Sequence, residues 1–240
     1  GRDRQATREC TSHSHRRASR PVGRLVFVRV GGLMSSDARP LIIACGALVS
    51  ELRAVLERNG LTDAIEVKYL PANLHNRPEG IVPALREVID EAGGRPIFVG
   101  YADCGTGGAL DRFLEERPGV SRIPGAHCYE FFAGSQRFLS DHEANPGTFY
   151  LTDFLAKHFD ALVWDGLGLD RHPELRDTYF GHYTEVVLYT QTTDPGVVEA
   201  GRRAADRLGL DFRHVHVGID GLEAAIPVSF RALSARGSKE

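Results

Sequence analysis

Three things are scarce in this chain, and each scarcity closes a route. Four cysteines are spread over 240 residues without a single C-x-x-C pair, so neither a zinc ribbon nor a disulfide scaffold is expected, and a reducing cytoplasm is the expected compartment. No uninterrupted apolar run approaches the ~20 residues of a membrane helix. The short run from Leu25 to Val30 is broken by Arg29, which makes it a poor secretory signal as well. Clustered lysine and arginine are also missing from the body of the chain. The net charge is -3 at pH 7, yet residues 1–33 carry eight arginines against only Asp3 and Glu9. The remainder is therefore acidic, and no DNA or RNA partner is expected.

Methionine occurs once, at Met34. The preceding residues 1–33 are rich in Arg, Ser, His and Gly and lack a sustained hydrophobic period, which reads as a disordered upstream extension or tag, Met34 being the native start. The competing reading is a basic targeting arm. Residues 34–240 are expected to form one α/β domain, since neither a repeat nor a Pro/Ser linker divides residues 40–230.

From Pro40 strands and helices alternate. Leu41–Ala44, 65–70, 96–101, 120–123, 148–151, 185–190 and 212–217 read as strands. Helical spacing fills 48–58, 81–92, the stretch around Leu110, Phe113 and Leu114, 127–139, 153–164, 173–180 and 197–208. Thr152 suits an N-cap, and Asp194-Pro195 has the cap-then-proline order of a helix start. Such alternation implies βαβ crossovers and a doubly wound, largely parallel sheet of five to seven strands with helices on both faces.

In that fold Cys45, Cys104 and Cys128 each stand where a strand has just ended, so parallel strands deliver all three thiols to the C-terminal edge of the sheet, where open α/β folds bind ligands. Cys10 falls outside this pattern. Three converging thiolates suit a soft metal: zinc with an open fourth position, or a 4Fe-4S cluster with one unprotected iron. The three sulfurs are then expected close enough to share one metal or cluster. Asp103, His127 and Glu130 stand beside the cysteines as candidates for a fourth ligand, a supporting hydrogen bond or a general acid/base. A cysteine can also be a small buried hydrophobe, and each of these polar residues can be a cap or a surface group.

The turn formed by Gly105, Thr106, Gly107 and Gly108 presents backbone N–H groups at a helix start, a place that favours an anion. Tight-turn geometry alone would also require such glycines. His75 and Arg77 follow the second strand on the same edge, as Gln191–Asp194 follow a later one, and they could line a pocket for a small polar or anionic substrate. His214 and His216 form an H-x-H pair on one face of a strand and read as structural.

Ala44-Cys-Gly-Ala-Leu48, Asn73-Leu-His-Asn-Arg-Pro78, Tyr101-Ala-Asp-Cys-Gly-Thr-Gly-Gly108, His127-Cys-Tyr-Glu130 and Gly166-Leu-Gly-Leu-Asp170 together resemble an uncharacterised bacterial and archaeal family, known only as a domain of unknown function, over Pro40 to Ile226. Its members are often encoded beside corrinoid-dependent methyltransferases for methylamines and betaines. The resemblance therefore implies methyl-transfer or one-carbon chemistry, with a corrinoid protein or a methyltransferase as partner. The combined expectation is a metal-dependent transferase centred on Cys45, Cys104 and Cys128. The alternative is a non-catalytic accessory protein that binds a corrinoid, a metal or a methyltransferase.

Overall fold

The computed structural model describes residues 39–231; the expectations for residues 1–33, Met34 and Cys10 lie outside the described residues. Strand β1 (Leu41–Cys45) is apolar from Leu41 to Ala44 because both of its faces are covered. Ile42 and Ala44 point into one apolar cluster, Leu41 and Ile43 into another. Strands β2 (Glu66–Leu70), β3 (Ile97–Gly100), β4 (Val120–Arg122), β5 (Thr148–Thr152), β6 (Glu185–Thr190) and β7 (Asp211–His216) follow. Every pairing among them is parallel. The protein is an α/β fold.

The strands form two sheets instead of one, four in the order β2-β1-β3-β4 and three in the order β5-β6-β7. Alternation of strand and helix predicts that each strand exists but leaves its neighbours open. The division falls after β4, which has three residues, pairs only with β3 and is partly exposed.

The helices are α1 (Val49–Arg58), α2 (Ile81–Glu91), α3 (Ala109–Glu115), α4 (Cys128–Ala133), α5 (Ser135–Ala144), α6 (Asp153–Lys157), α7 (Arg176–Phe180), α8 (Pro195–Leu208), α9 (Asp220–Ala225) and α10 (Val228–Arg231). The single helix expected over 127–139 is broken at Gly134, whose φ of +80° and ψ of 136° belong to no helix. This break lets α4 pack Phe131 and Phe132 beside the four-stranded sheet while α5 packs Phe138 beside the other. The stretch 153–164 is likewise divided, into α6 and a π-helical turn at Asp160–Trp164. Thr152 caps α6 by accepting from the Leu155 amide at 3.4 Å, and Asp194 caps α8 by accepting from Gly196 at 2.9 Å, with Pro195 in the first position.

After β7 the chain returns to the four-stranded sheet. Leu222, Ile226 and Phe230 join the cluster beneath Ile42 and Phe98, the Phe98 and Phe230 rings lying 6.0 Å apart. Among the described residues no helix is long and apolar enough to cross a membrane.

Candidate functional site

In the order β2-β1-β3-β4 the chain direction across the sheet reverses between β1 and β3, and the crevice beyond the ends of those two strands is where such sheets bind ligands. Cys45 is the last residue of β1, and Tyr101 to Cys104 follow β3 directly. Beyond β2, His75 lies in a short 3₁₀ turn, Ala72–Asn76. Beyond β4, Cys128 opens α4. Each of the four strands thus sends one sulfur or imidazole side chain to the same edge. All four of these side chains line one cavity of about 30 Å³, room for one or two water-sized groups.

Most of the remaining wall is apolar. Phe131 and Phe132 close one side, while Phe154 and Leu155 come from the start of α6 in the other sheet's layer. Apolar surroundings leave a thiolate without solvation. Burial pushes the Cys104 thiol up to about 12, the neighbouring Cys45 sulfur adding to the rise. Burial raises Cys128 well above its ordinary value too, and Cys104 and Cys45 raise it further. Cys45 is raised by burial, partly offset by the Ala47 amide, which donates to its sulfur at 3.5 Å, and by the Tyr101 hydroxyl. Without a cation the three thiols are protonated at neutral pH. A metal ion is the kind of partner that deprotonates such groups.

Tyr101 is 2 % exposed, and its buried hydroxyl has no hydrogen bond of normal geometry although it approaches Cys45. A buried hydroxyl without a partner is costly, and this one belongs to a residue that lines the cavity. His75 is driven toward its neutral form by burial, then by the charge of His127, and a neutral imidazole is the form that ligates metals.

The loops carrying the thiols are tied together. Asp103 N donates to Gly125 O at 3.0 Å and Cys104 N to Ala126 O at 2.9 Å, continuing the β3–β4 pairing past its end. Arg122 forks onto Asp111 at 2.6 and 2.8 Å, and its other nitrogen reaches the carbonyls of Ile123 and Gly125 at 2.7 and 3.1 Å. Cys104 has φ of +50°, the one non-glycine residue of positive φ among those described. A β-carbon there costs energy. Cys104→Gly is accordingly expected to be more stable than Cys104→Ala by about 1 kcal/mol, the reverse of the usual order. Urea denaturation of the two variants measures this, and a more stable alanine variant would show the turn to be unstrained.

The other residues singled out from sequence are engaged elsewhere. The Asp103 carboxylate accepts from Thr106 Oγ1 at 2.6 Å, Gly107 N at 3.1 Å and Gly108 N at 2.9 Å. It fills two of the N–H groups that an external anion was expected to use, and the Thr106 amide donates to the Asp103 carbonyl at 3.1 Å, so this turn is satisfied from within over Thr106 to Gly108. Glu130 accepts from Ala126 N and Ser135 Oγ, both at 2.8 Å, and so braces the turn before α4. Arg77 is exposed and does not line the cavity. His127 is exposed beside it, at the start of α4. His214 and His216 both meet the Thr190 hydroxyl, at 2.9 and 3.1 Å.

Among the described residues no three His, Cys, Asp or Glu side chains stand in position to hold one metal ion together. The thiols share a cavity wall without being drawn to a point. Sequence reasoning passed over Tyr101 and Phe154 as site residues. Tyr101 had a signal, its place just beyond a fully buried strand; Phe154 had none.

A family model described as "Protein of unknown function (DUF1638)" matches residues 69–226. The chain belongs to this family. The matched span holds His75, Tyr101, Cys104, Cys128 and Phe154, whereas β1 with Cys45 precedes it. No curated protein and no solved structure matches the chain.

Proposed function

We propose that the chain is an enzyme whose reacting centre is the thiol cavity, held as a soft-metal site by Cys45, Cys104 and Cys128 with His75 as an exchangeable fourth ligand. One observation carries this reading: each strand of the four-stranded sheet sends one such side chain to the same small cavity. Cys₃His is an ordinary donor set for zinc; a 4Fe-4S cluster on the three cysteines is the alternative. Loading would draw together three thiols that share a cavity wall but do not stand in position around one point. Zinc would supply Lewis acidity toward a thiol or other polar substrate group. His75 would hold the fourth position, and its imidazole, with His127 near it, would accept a proton from the substrate group. The Tyr101 hydroxyl would orient the bound group.

Methyl-group or related one-carbon transfer in the cytoplasm is the reaction class, supported by the resemblance to a family encoded beside corrinoid-dependent methyltransferases. A cavity of about 30 Å³ suits a metal and a small group; a corrinoid would remain on a partner protein. A second reading, a non-catalytic accessory protein for a corrinoid, metal or methyltransferase, is favoured by one observation. Asp103 and Glu130 are committed to structural hydrogen bonds, which leaves few groups for proton transfer.

Anaerobic purification followed by metal and sulfide analysis and a visible spectrum tests the site. About one zinc per chain without colour selects zinc, and a brown, sulfide-containing protein selects the cluster. Stable protein that stays metal-free under both loading conditions would sink the proposal. His127→Gln then separates the two readings: an accessory protein keeps its binding and cellular effect without that imidazole.

A further inference from the structure

Beside the thiol cavity, the first turn of α1 faces the ends of the three-stranded sheet across an open cleft. Two adjoining hollows make it up, one of about 480 Å³ and one of about 300 Å³, and both are lined by Ser50, Glu51 and Thr192. Either alone is in the size range of small-molecule sites. Glu51 is 5 % exposed, and its Oε2 is buried without any hydrogen-bond partner. A helix start explains an acidic residue in this turn. It does not explain why a carboxylate oxygen is taken out of water and left bare, an arrangement that costs stability.

The cleft's other charged groups are already paired. Asp153 accepts from Gln191 N and Thr192 N, both at 3.0 Å, and from Thr192 Oγ1 at 2.5 Å. Arg58 is held by Asp220 at 2.7 Å and Glu223 at 3.0 Å, and Lys157 by Asp194 at 3.2 Å. Among the carboxylates that line the cleft, Glu51 alone has a buried oxygen with no donor.

We infer that this cleft binds the ammonium group of a small amine, with Glu51 as its receptor. A protonated amine supplies a donor to the bare oxygen together with a positive charge in contact, whereas the Lys157 charge acts on Glu51 without hydrogen-bonding to it; a neutral alcohol supplies only the donor. Phe154 lines both the smaller hollow and the thiol cavity, and the His158 ring, which lines the smaller hollow too, lies 4.5 Å from it. An amine anchored at Glu51 and lying in the smaller hollow would meet the ring that also walls the thiol cavity. That the amine is the substrate rests on the reading of the thiol cavity as the reacting centre. Its binding does not.

The test is an NMR titration of the full chain with n-propylammonium, 1-propanol and propionate, on wild type, Glu51→Gln, Ser50→Trp and Cys104→Ala. Propylammonium should bind wild type weakly, as so small a ligand must, and perturb the amides of Ser50, Glu51 and Thr192; propanol and propionate should not. Glu51→Gln should weaken binding by ~10-fold or more, and Ser50→Trp, an exposed change that fills the cleft, should abolish it. Cys104→Ala should leave it unchanged. Equal binding of propanol, or unaltered ammonium binding in either folded cleft variant, would overturn the inference. Ammonium binding by a protein that takes up no zinc would leave this site standing and remove the metal centre; zinc uptake without ammonium binding would do the opposite.

Discussion

Cys45→Ala, Cys104→Ala and Cys128→Ala are each expected to lower bound zinc from about one per chain to nearly none under metal-buffered conditions. Each thiol comes from a different strand end, and no neighbouring carboxylate is free to replace it, because Asp103 and Glu130 spend their oxygens on backbone and hydroxyl donors. Glu130→Gln should therefore retain its zinc. The environment of the thiols adds a second, independent measurement. Burial holds all three above their ordinary values, Cys104 at about 12, so they carry their protons at neutral pH and must lose them to the metal. Zinc loading near pH 7.5 should release about three protons per ion, measurable by calorimetry in buffers of different ionisation enthalpy. Release of fewer than about one would mean that the cysteines are not the ligands.

Gly221→Val is expected to destabilise the protein by about 3 kcal/mol or more. Gly221, in the first turn of α9, lies so close to α4 that a β-carbon would fall within the van der Waals envelope of the Phe131 carbonyl oxygen, with the Phe132 carbonyl 2.9 Å away. Both obstacles are backbone atoms, so no rotamer change relieves them and the two helices must part. Because Cys128 begins α4, the variant should also lose zinc affinity despite sitting far from the ligands in sequence. Chemical denaturation and metal competition measure the two effects. A variant that kept wild-type stability would show that α9 does not pack as described.

Much of this was legible in the residues, for identifiable reasons. Runs such as Leu41–Ala44 and Val186–Tyr189 are apolar on both faces, a pattern that marks buried parallel strands. Parallel strands put their C-terminal ends together, so the meeting of Cys45, Cys104 and Cys128 on one cavity followed from topology. The division into two sheets did not, since strand partners are chosen by contacts far apart in sequence. Gly134 sat inside a convincing helical period and broke it. Asp103 and Glu130 had the chemistry of acid/base groups, but only their hydrogen bonds reveal that they are spent on turns. Glu51 was passed over because an acidic residue in a first helical turn ordinarily faces solvent, and nothing local announces burial.

The return of the chain after β7 has a mechanical consequence. The polypeptide passes from the first sheet's layer to the second through α4 and α5, and comes back through α9 to place Phe230 on Phe98. The layers also meet directly, Asn76 Nδ2 donating to the Leu162 carbonyl at 2.8 Å, so each crossing of the chain is backed by a contact between them. The thiols and Tyr101 lie in one layer, Phe154 and Leu155 in the other. Phe154 walls both the hollow beside Glu51 and the room beside the sulfurs, so a molecule that shifts this ring from one side would alter the space on the other.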